Sequence, residues 1–235
     1  MAQPRFVLLH SPLLGPLAWQ GVAAELRRRG HAANAPAWPP LSSVLGGYYE
    51  DLTAGLADGL AASEDALVLA AHSGAGALTP ALAARLGKRV AGVIYVDAIL
   101  PHPGRSWFET APTDLREQLR AGAQMGELPP WDEWWPPGAL ERLVPDAAQR
   151  AALAAELEPL PIGYFEETAP TIAPETPAAY LQLSGAYDDE SQVAARSGWP
   201  LVRLPLHHLA MLTNPEPVAA ALESLAQRLA EPAHG

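Results

Sequence analysis

Short apolar runs alternate with longer segments of helical period along most of the chain. "RFVLLH" (5–10) is a buried strand by its length and β-branched content, and "AWQGVAAELRRRG" (18–30) repeats its apolar residues at helical spacing up to Gly30. "HAANAPAW" (31–38) makes a weak second strand that stops at Pro39-Pro40, and 42–62 turns helical from about Tyr48. "ALVLAA" (66–71) and "VAGVIYVDA" (90–98) read as strands on either side of the helix "GALTPALAARLGK" (76–88). "AAYLQLS" (178–184) and "PLVRLP" (200–205) read as two more, followed by a closing helix at 217–230. Strands apolar on both faces and separated by helices predict an α/β fold, with a mostly parallel sheet of about six strands.

Residues 101–177 interrupt this rhythm. The stretch is helical in pattern ("DLREQLRAGAQM", "GALERLV", "DAAQRAALAAELEPL"), shows no convincing strand, and holds Trp107, Trp131, Trp134 and Trp135. Because the alternation resumes after it, it reads as an insertion into a single domain spanning 1–235. Its tryptophans fit either the lining of an apolar pocket or the packing of the layer onto the sheet.

Composition narrows the field. A chain of 235 residues, 49% hydrophobic, can bury a large core within one domain. A net charge of −11 argues against nucleic acid and anionic membrane partners. The one cationic run, Arg27-Arg28-Arg29 before Gly30, reads as a helix C-terminus. With no cysteine there is no disulfide, thiolate metal site or cysteine nucleophile. No stretch approaches the ~18 uninterrupted apolar residues of a spanning helix, and no secretory leader pattern opens the chain. The expectation is a soluble, cytoplasmic protein without membrane insertion; a homodimer stays open.

The chemistry gathers around "AAHSGAG" (70–76), where a buried strand meets a run of the smallest residues. Ser73 is either a helix N-cap or a nucleophile on a sharp strand-to-helix turn. Such a turn needs small residues two before and two after the serine, and Ala71 and Ala75 meet that need. A dinucleotide loop fails because a third glycine would fall at Thr79, and no GK[ST] phosphate loop is present. A serine nucleophile requires a base and a carboxylate in the order Ser…Asp…His. "LQLSGAYDDE" (181–190) supplies an acid just past a strand end, and "LPLHHLAMLTNPEPVAAAL" (204–222) supplies histidines between the last strand and the last helix. Ligands of open α/β sheets bind at that edge.

Four segments together resemble the α/β-hydrolase family over essentially the whole length: "FVLLHSPLLGPLAWQGVAAELRRRGH", "AHSGAG", "SGAYD" and "HHLAMLTNPEPVAAAL". The resemblance implies an α/β-hydrolase fold in which 101–177 is the inserted helical cap. It implies Ser73 as nucleophile, His208 as general base and acid, and Asp188 as the carboxylate that orients His208. His207 stands where the family places a glycine, which favours His208. Asp189 and Asp97 remain alternatives for the acid, Asp97 because it ends "VIYVDA" on the same edge. His72 and His10 read as structural. The oxyanion hole is assigned to Gly74 and Leu13, since Pro12 has no N–H to give. The implied activity is hydrolysis of a small to medium carboxylic ester, thioester or lactone through an acyl-serine, with no metal or organic cofactor. A cofactor-free lyase of the hydroxynitrile type is the alternative enzyme, although the lone lysine, Lys88, lies at a helix end away from the site. A non-hydrolytic ligand receptor on the same fold is the other rival.

Overall fold

The computed structural model describes residues 4–62, 64–173 and 176–231; positions 174–175 of the expected insertion and both chain ends of the 1–235 domain lie outside them. Its centre is a six-stranded parallel sheet in the order β2-β1-β3-β4-β7-β8. The strands are β1 (Arg5–Leu9), β2 (Ala33–Asn34), β3 (Leu67–His72), β4 (Val90–Val96), β7 (Ala178–Gln182) and β8 (Leu201–Arg203). A separate antiparallel pair, β5 (Glu127–Leu128) and β6 (Leu160–Pro161), lies in the insertion, where the sequence shows no strand. Register in the main sheet runs Phe6↔Val68, Leu69↔Val93, Tyr95↔Tyr180 and Leu181↔Val202. Every residue of β3 is buried, as continuous apolar strands must be when helices cover both faces.

From β1 the chain steps one way to β2, and from β3 onward it steps the other way. The crevice between the ends of β1 and β3 is therefore the topological switch point, where open α/β sheets bind ligands. Helix α1 (Leu17–Arg28) packs against α11 (Pro215–Ala230), and α2 (Tyr48–Leu60) against α3 (Thr79–Leu86). The end of α1 follows from its sequence. Arg28 and Arg29 both pair with Glu25, and Gly30 at φ 91° takes the left-handed conformation that closes the helix. Helix α3 starts later than its pattern predicts. Residues Ser73–Leu78 form a tighter 3₁₀ turn, and the α-helix begins only beside Pro80, whose missing N–H suits a first turn.

The insertion contributes five short helices: α4 (Trp107–Thr110), α5 (Thr113–Gly122), α6 (Ala139–Leu143), α7 (Ala147–Ala154) and α8 (Ile162–Glu166). An aromatic cluster binds α4 to α8. Phe108 stacks on Phe165 at 5.6 Å, and Trp107 and Trp134 pack on the same Phe165 ring. Two carboxylates anchor this cap to the core. Neither α1 nor α2 has a capping side chain of its own, as Pro16 and Gly47 precede them. Glu156 accepts the Leu17 N–H at 2.9 Å, and Glu167 accepts those of Tyr48 and Tyr49 at 2.6 and 3.1 Å. Each acid satisfies amides that a helix start leaves unpaired, where negative charge is also favoured. After β7 come α9 (Asp188–Arg196) and α10 (Ala210–Thr213), the first of which the sequence reading leaves as loop.

Candidate active site

Ser73 follows directly on β3 and holds φ at 54°, a region that non-glycine residues rarely occupy. The strain has a local cause, for the chain must reverse within a few residues and Ala75 and Gly76 are pressed into the core. A β-carbon on Gly76 would stand 2.0 Å from the Ile99 carbonyl oxygen, so only glycine fits. The turn exposes Ser73 at the floor of a cavity of about 470 Å³. Ser11, Leu13 and Gly74 from the core line its base, and Trp107, Trp131, Trp134 and Trp135 line its sides. The cap tryptophans thus both pack the layer and form the pocket wall.

The structure brings His208 to the same cavity as Ser73. His208, in the loop after β8, turns Nδ1 toward a carboxylate at 2.9 Å. That carboxylate belongs to Asp97 and not to Asp188. Asp97 follows β4 at φ 43°, a second strained strand end, and is fully buried. Its Oδ1 accepts the N–H groups of Leu183 and Ser184 at 2.8 and 3.0 Å, and its Oδ2 accepts the Ser184 hydroxyl at 2.6 Å. With His208 donating as well, every lone-pair direction of the buried charge is served, as burial of a carboxylate demands.

Geometry keeps Asp188 away from His208. Strand β7 stops at Gln182, and Ser184 fills the place beside the histidine as a donor to Asp97. The chain then curls outward, so Asp188 opens α9 on the exposed surface and accepts a hydrogen bond from Gln182 Nε2. Asp189 is exposed in the same first turn. There these acids and Glu190 sit at the positive end of a helix, which suits them electrostatically.

Three other histidines surround the site. The His72 ring lies 4.4 Å from that of His208 and donates through Nε2 to the His208 carbonyl at 3.0 Å. Burial, with repulsion from His208 second, holds its pKa well below the ordinary 6.5, so His72 stays neutral. His207 is tied to the Thr213 hydroxyl at 2.9 Å, away from Asp97, and burial lowers its pKa also. His10 bonds the Ser11 carbonyl at 2.8 Å, and burial lowers its pKa to about 4.

The sequence reading gave no role to Tyr187. Its hydroxyl lies 3.2 Å from Ser73 Oγ, and its ring stacks on His208 with centroids 5.0 Å apart and planes 13° off parallel. Burial raises its pKa, so the phenol remains neutral. An aromatic residue next to a strand-end acid is the sole sequence signal it leaves.

The loop after β1 alters the oxyanion assignment. Ser11-Pro12-Leu13-Leu14 is a β-turn closed by Leu14 N–H to the Ser11 carbonyl at 2.9 Å, with proline at its favoured second position. The Leu13 N–H is turned back onto Ser11 Oγ at 3.3 Å, the usual serine-turn contact. Leu13 is therefore not a free donor, whereas Gly74 lines the pocket beside Ser73. Among the described residues, no group of three or more His, Asp and Glu side chains could hold a metal ion, and no helix is long and apolar enough to cross a membrane.

Sheet order, strained elbow and histidine–carboxylate pair together define an α/β hydrolase. The chain belongs to the alpha/beta hydrolase family, whose model matches residues 6–221. Among curated proteins it is similar to a carbendazim hydrolyzing esterase of Nocardioides sp. (strain SG-4G), at 28% identity over 122 residues. That match spans about half of each chain, 49% here and 50% there. Among solved structures it is similar to an extracellular alpha/beta-hydrolase from a Paenibacillus species, with TM-score 0.78 and 20% identity over 94% of this chain and 98% of that one. A pyrethroid hydrolase from Sphingobium faniae JZ-2 superposes with TM-score 0.73 and 22% identity, over 96% of this chain and 98% of that one.

Proposed function

We propose that this protein is a serine hydrolase that cleaves small to medium carboxylic esters with an apolar, aromatic-compatible acyl or alcohol part. One observation carries the reading. His208, held by a buried and fully hydrogen-bonded Asp97, shares the floor of an aromatic cavity with a serine on a strained elbow. The relatives named as an esterase and a pyrethroid hydrolase support ester chemistry.

Ser73 Oγ turns from Tyr187 toward His208 Nε2 as substrate enters, an adjustment common when sites without substrate hold loose catalytic hydrogen bonds. His208 takes the serine proton while Oγ attacks the ester carbonyl, and Asp97 stabilises the resulting imidazolium. The carbonyl oxygen becomes an oxyanion beside the Gly74 N–H. Collapse of the tetrahedral intermediate breaks the bond to the alcohol, which leaves with the proton from His208. Water, deprotonated by His208, then attacks the acyl-serine, and the acid departs as the proton returns to Ser73. Ligand size follows the roughly 300–1,000 Å³ range of small-molecule pockets. Lys88 lies after α3, just before β4 begins, at the sheet edge opposite the cavity. It supplies no ammonium to a lyase pathway.

The test is covalent labelling. A fluorophosphonate probe is expected to add to wild type at Ser73 and not to Ser73→Ala, with p-nitrophenyl acetate turnover falling on the order of 10⁶-fold in that variant. A wild type that binds apolar ligands yet resists the probe would make it a receptor. A Ser73→Ala protein retaining a tenth of the activity would move the nucleophile elsewhere.

A further inference from the structure

The loop after β1 presents a chemical gap and, next to it, a group able to fill it. Acyl transfer through Ser73 needs more than one donor at the developing oxyanion. Pro12 cannot serve: its nitrogen carries Cδ where other residues carry hydrogen. That Cδ points at the nucleophile turn, since a β-carbon on Gly74 would lie 3.6 Å from it. The same point lies 3.3 Å from Ser11 Oγ. The serine hydroxyl therefore stands beside the blocked direction, against the same glycine whose N–H is the other donor.

Its proton is available. Ser11 is buried, lines the cavity floor with Ser73 and Gly74, and its Oγ accepts the Leu13 N–H at 3.3 Å. A hydroxyl has one proton and two lone pairs, so an incoming N–H on one lone pair leaves the proton free to donate. That incoming bond also polarises the O–H outward, as in any hydrogen-bonded chain. The turn fixes the backbone that carries it, because Leu14 N–H and His10 Nδ1 both hold the Ser11 carbonyl, at 2.9 and 2.8 Å. Burial keeps His10 uncharged above about pH 4, so the arrangement persists across the working range.

We propose that the Ser11 hydroxyl is the second oxyanion donor, taking the place of the backbone N–H that Pro12 removes. The proposal rests on the serine-hydrolase reading above. Ser11 forms no bond to substrate carbon; it donates one hydrogen bond that strengthens as the carbonyl oxygen gains charge. A second hydroxyl stands near the same point. The Tyr164 hydroxyl lies 3.7 Å from the same point, farther away and on the cap side.

The experiment compares Ser11→Ala, Ser11→Cys and Tyr164→Phe with wild type on p-nitrophenyl esters. Each is assayed also for inhibition by an aryl trifluoromethyl ketone, whose adduct carries the oxyanion. Ser11→Ala is expected to lose about 10²–10³-fold in kcat with KM within threefold, the usual effect of removing one such donor. Affinity for the trifluoromethyl ketone should fall in parallel, which a packing defect would not produce. Ser11→Cys keeps the volume with a weak donor and should show a similar loss, so it carries the comparison if the alanine variant does not fold. A Ser11→Ala enzyme within threefold of wild type in kcat, or impaired in KM alone, overturns the proposal. A loss of the stated size in Tyr164→Phe, with Ser11→Ala unimpaired, overturns it in favour of the tyrosine. Fluorophosphonate labelling keeps the two layers apart. An unlabelled wild type removes the underlying reading and the proposal with it, whereas a labelled wild type with an unimpaired Ser11→Ala removes the proposal alone.

Discussion

Asp97 and His208 meet at 2.9 Å although 111 residues of chain separate them, with the carboxylate sealed from solvent and the imidazole open to the cavity. In Asp97→Asn the amide oxygen can still accept from Leu183 and Ser184, but its NH₂ then faces His208 Nδ1 and selects the wrong tautomer. The expected loss is ~10³–10⁴-fold in kcat with the fold retained. Asp188→Asn should stay within about tenfold. Turnover and circular dichroism on both variants decide the matter, and a crippled Asp188→Asn beside a mild Asp97→Asn would reverse the assignment.

Tyr187 separates into two contributions. Tyr187→Phe keeps the ring on His208 and loses one neutral hydrogen bond, worth about 1 kcal/mol, so kcat/KM should change by about fivefold. Tyr187→Ala loses the stack too, and its extra loss should lie near the roughly 0.5–1.5 kcal/mol of an aromatic pair. Steady-state kinetics on the two variants, with His208 protonation followed by NMR, would show whether ring or hydroxyl dominates.

Stability should fall on mild acidification. His10 and His72 are buried neutral, with pKa values below the ordinary 6.5. The unfolded chain takes up their protons from about pH 6.5 downward while the native state does not, so the native state loses ground as pH drops toward 4. For His10, held at about 4, this amounts to about 3 kcal/mol across the window. Thermal melts between pH 7 and 4.5 should show the decline, and His10→Asn, which keeps an amide donor without a titrating group, should flatten it. An equal slope in both proteins would place the titration elsewhere.

Gly76→Ala should damage the elbow without touching the chemistry directly. The added carbon would sit 2.0 Å from the Ile99 carbonyl oxygen, so the backbone must move. A destabilisation of roughly 1–3 kcal/mol, or several degrees in Tm, is expected. Gly59→Ala, where nothing stands within 4 Å, serves as the control and should be neutral or slightly stabilising.

The sheet was legible in the sequence because its strands are buried on both faces and so stand out as unbroken apolar runs. The placements of Ser73 and His208 were legible for a related reason: each lies between a strand and a helix that the pattern marks. Asp97 was visible as a strand-end acid, yet the resemblance of "SGAYD" to the family's strand-end acid motif favoured Asp188. Only the adjacency of β4 and β7, with Ser184 and Leu183 aimed across the gap, shows which carboxylate is in place. Asp188 and Asp189, candidates for the acid in the sequence, stand with Glu190 in the first turn of α9, where acidic residues signal a helix start. The contact of the Leu13 N–H with Ser11 Oγ was not legible, because a serine turn depends on backbone dihedrals that no spacing reveals.

Glu156 and Glu167 give the cap a modular character. The insertion meets α1 and α2 through two carboxylates on amides that any helix start must leave open, so this attachment asks little of the core helices' side chains. A lineage could therefore rebuild the tryptophan-lined wall, and with it the range of esters admitted, while the elbow and its histidine stay as they are.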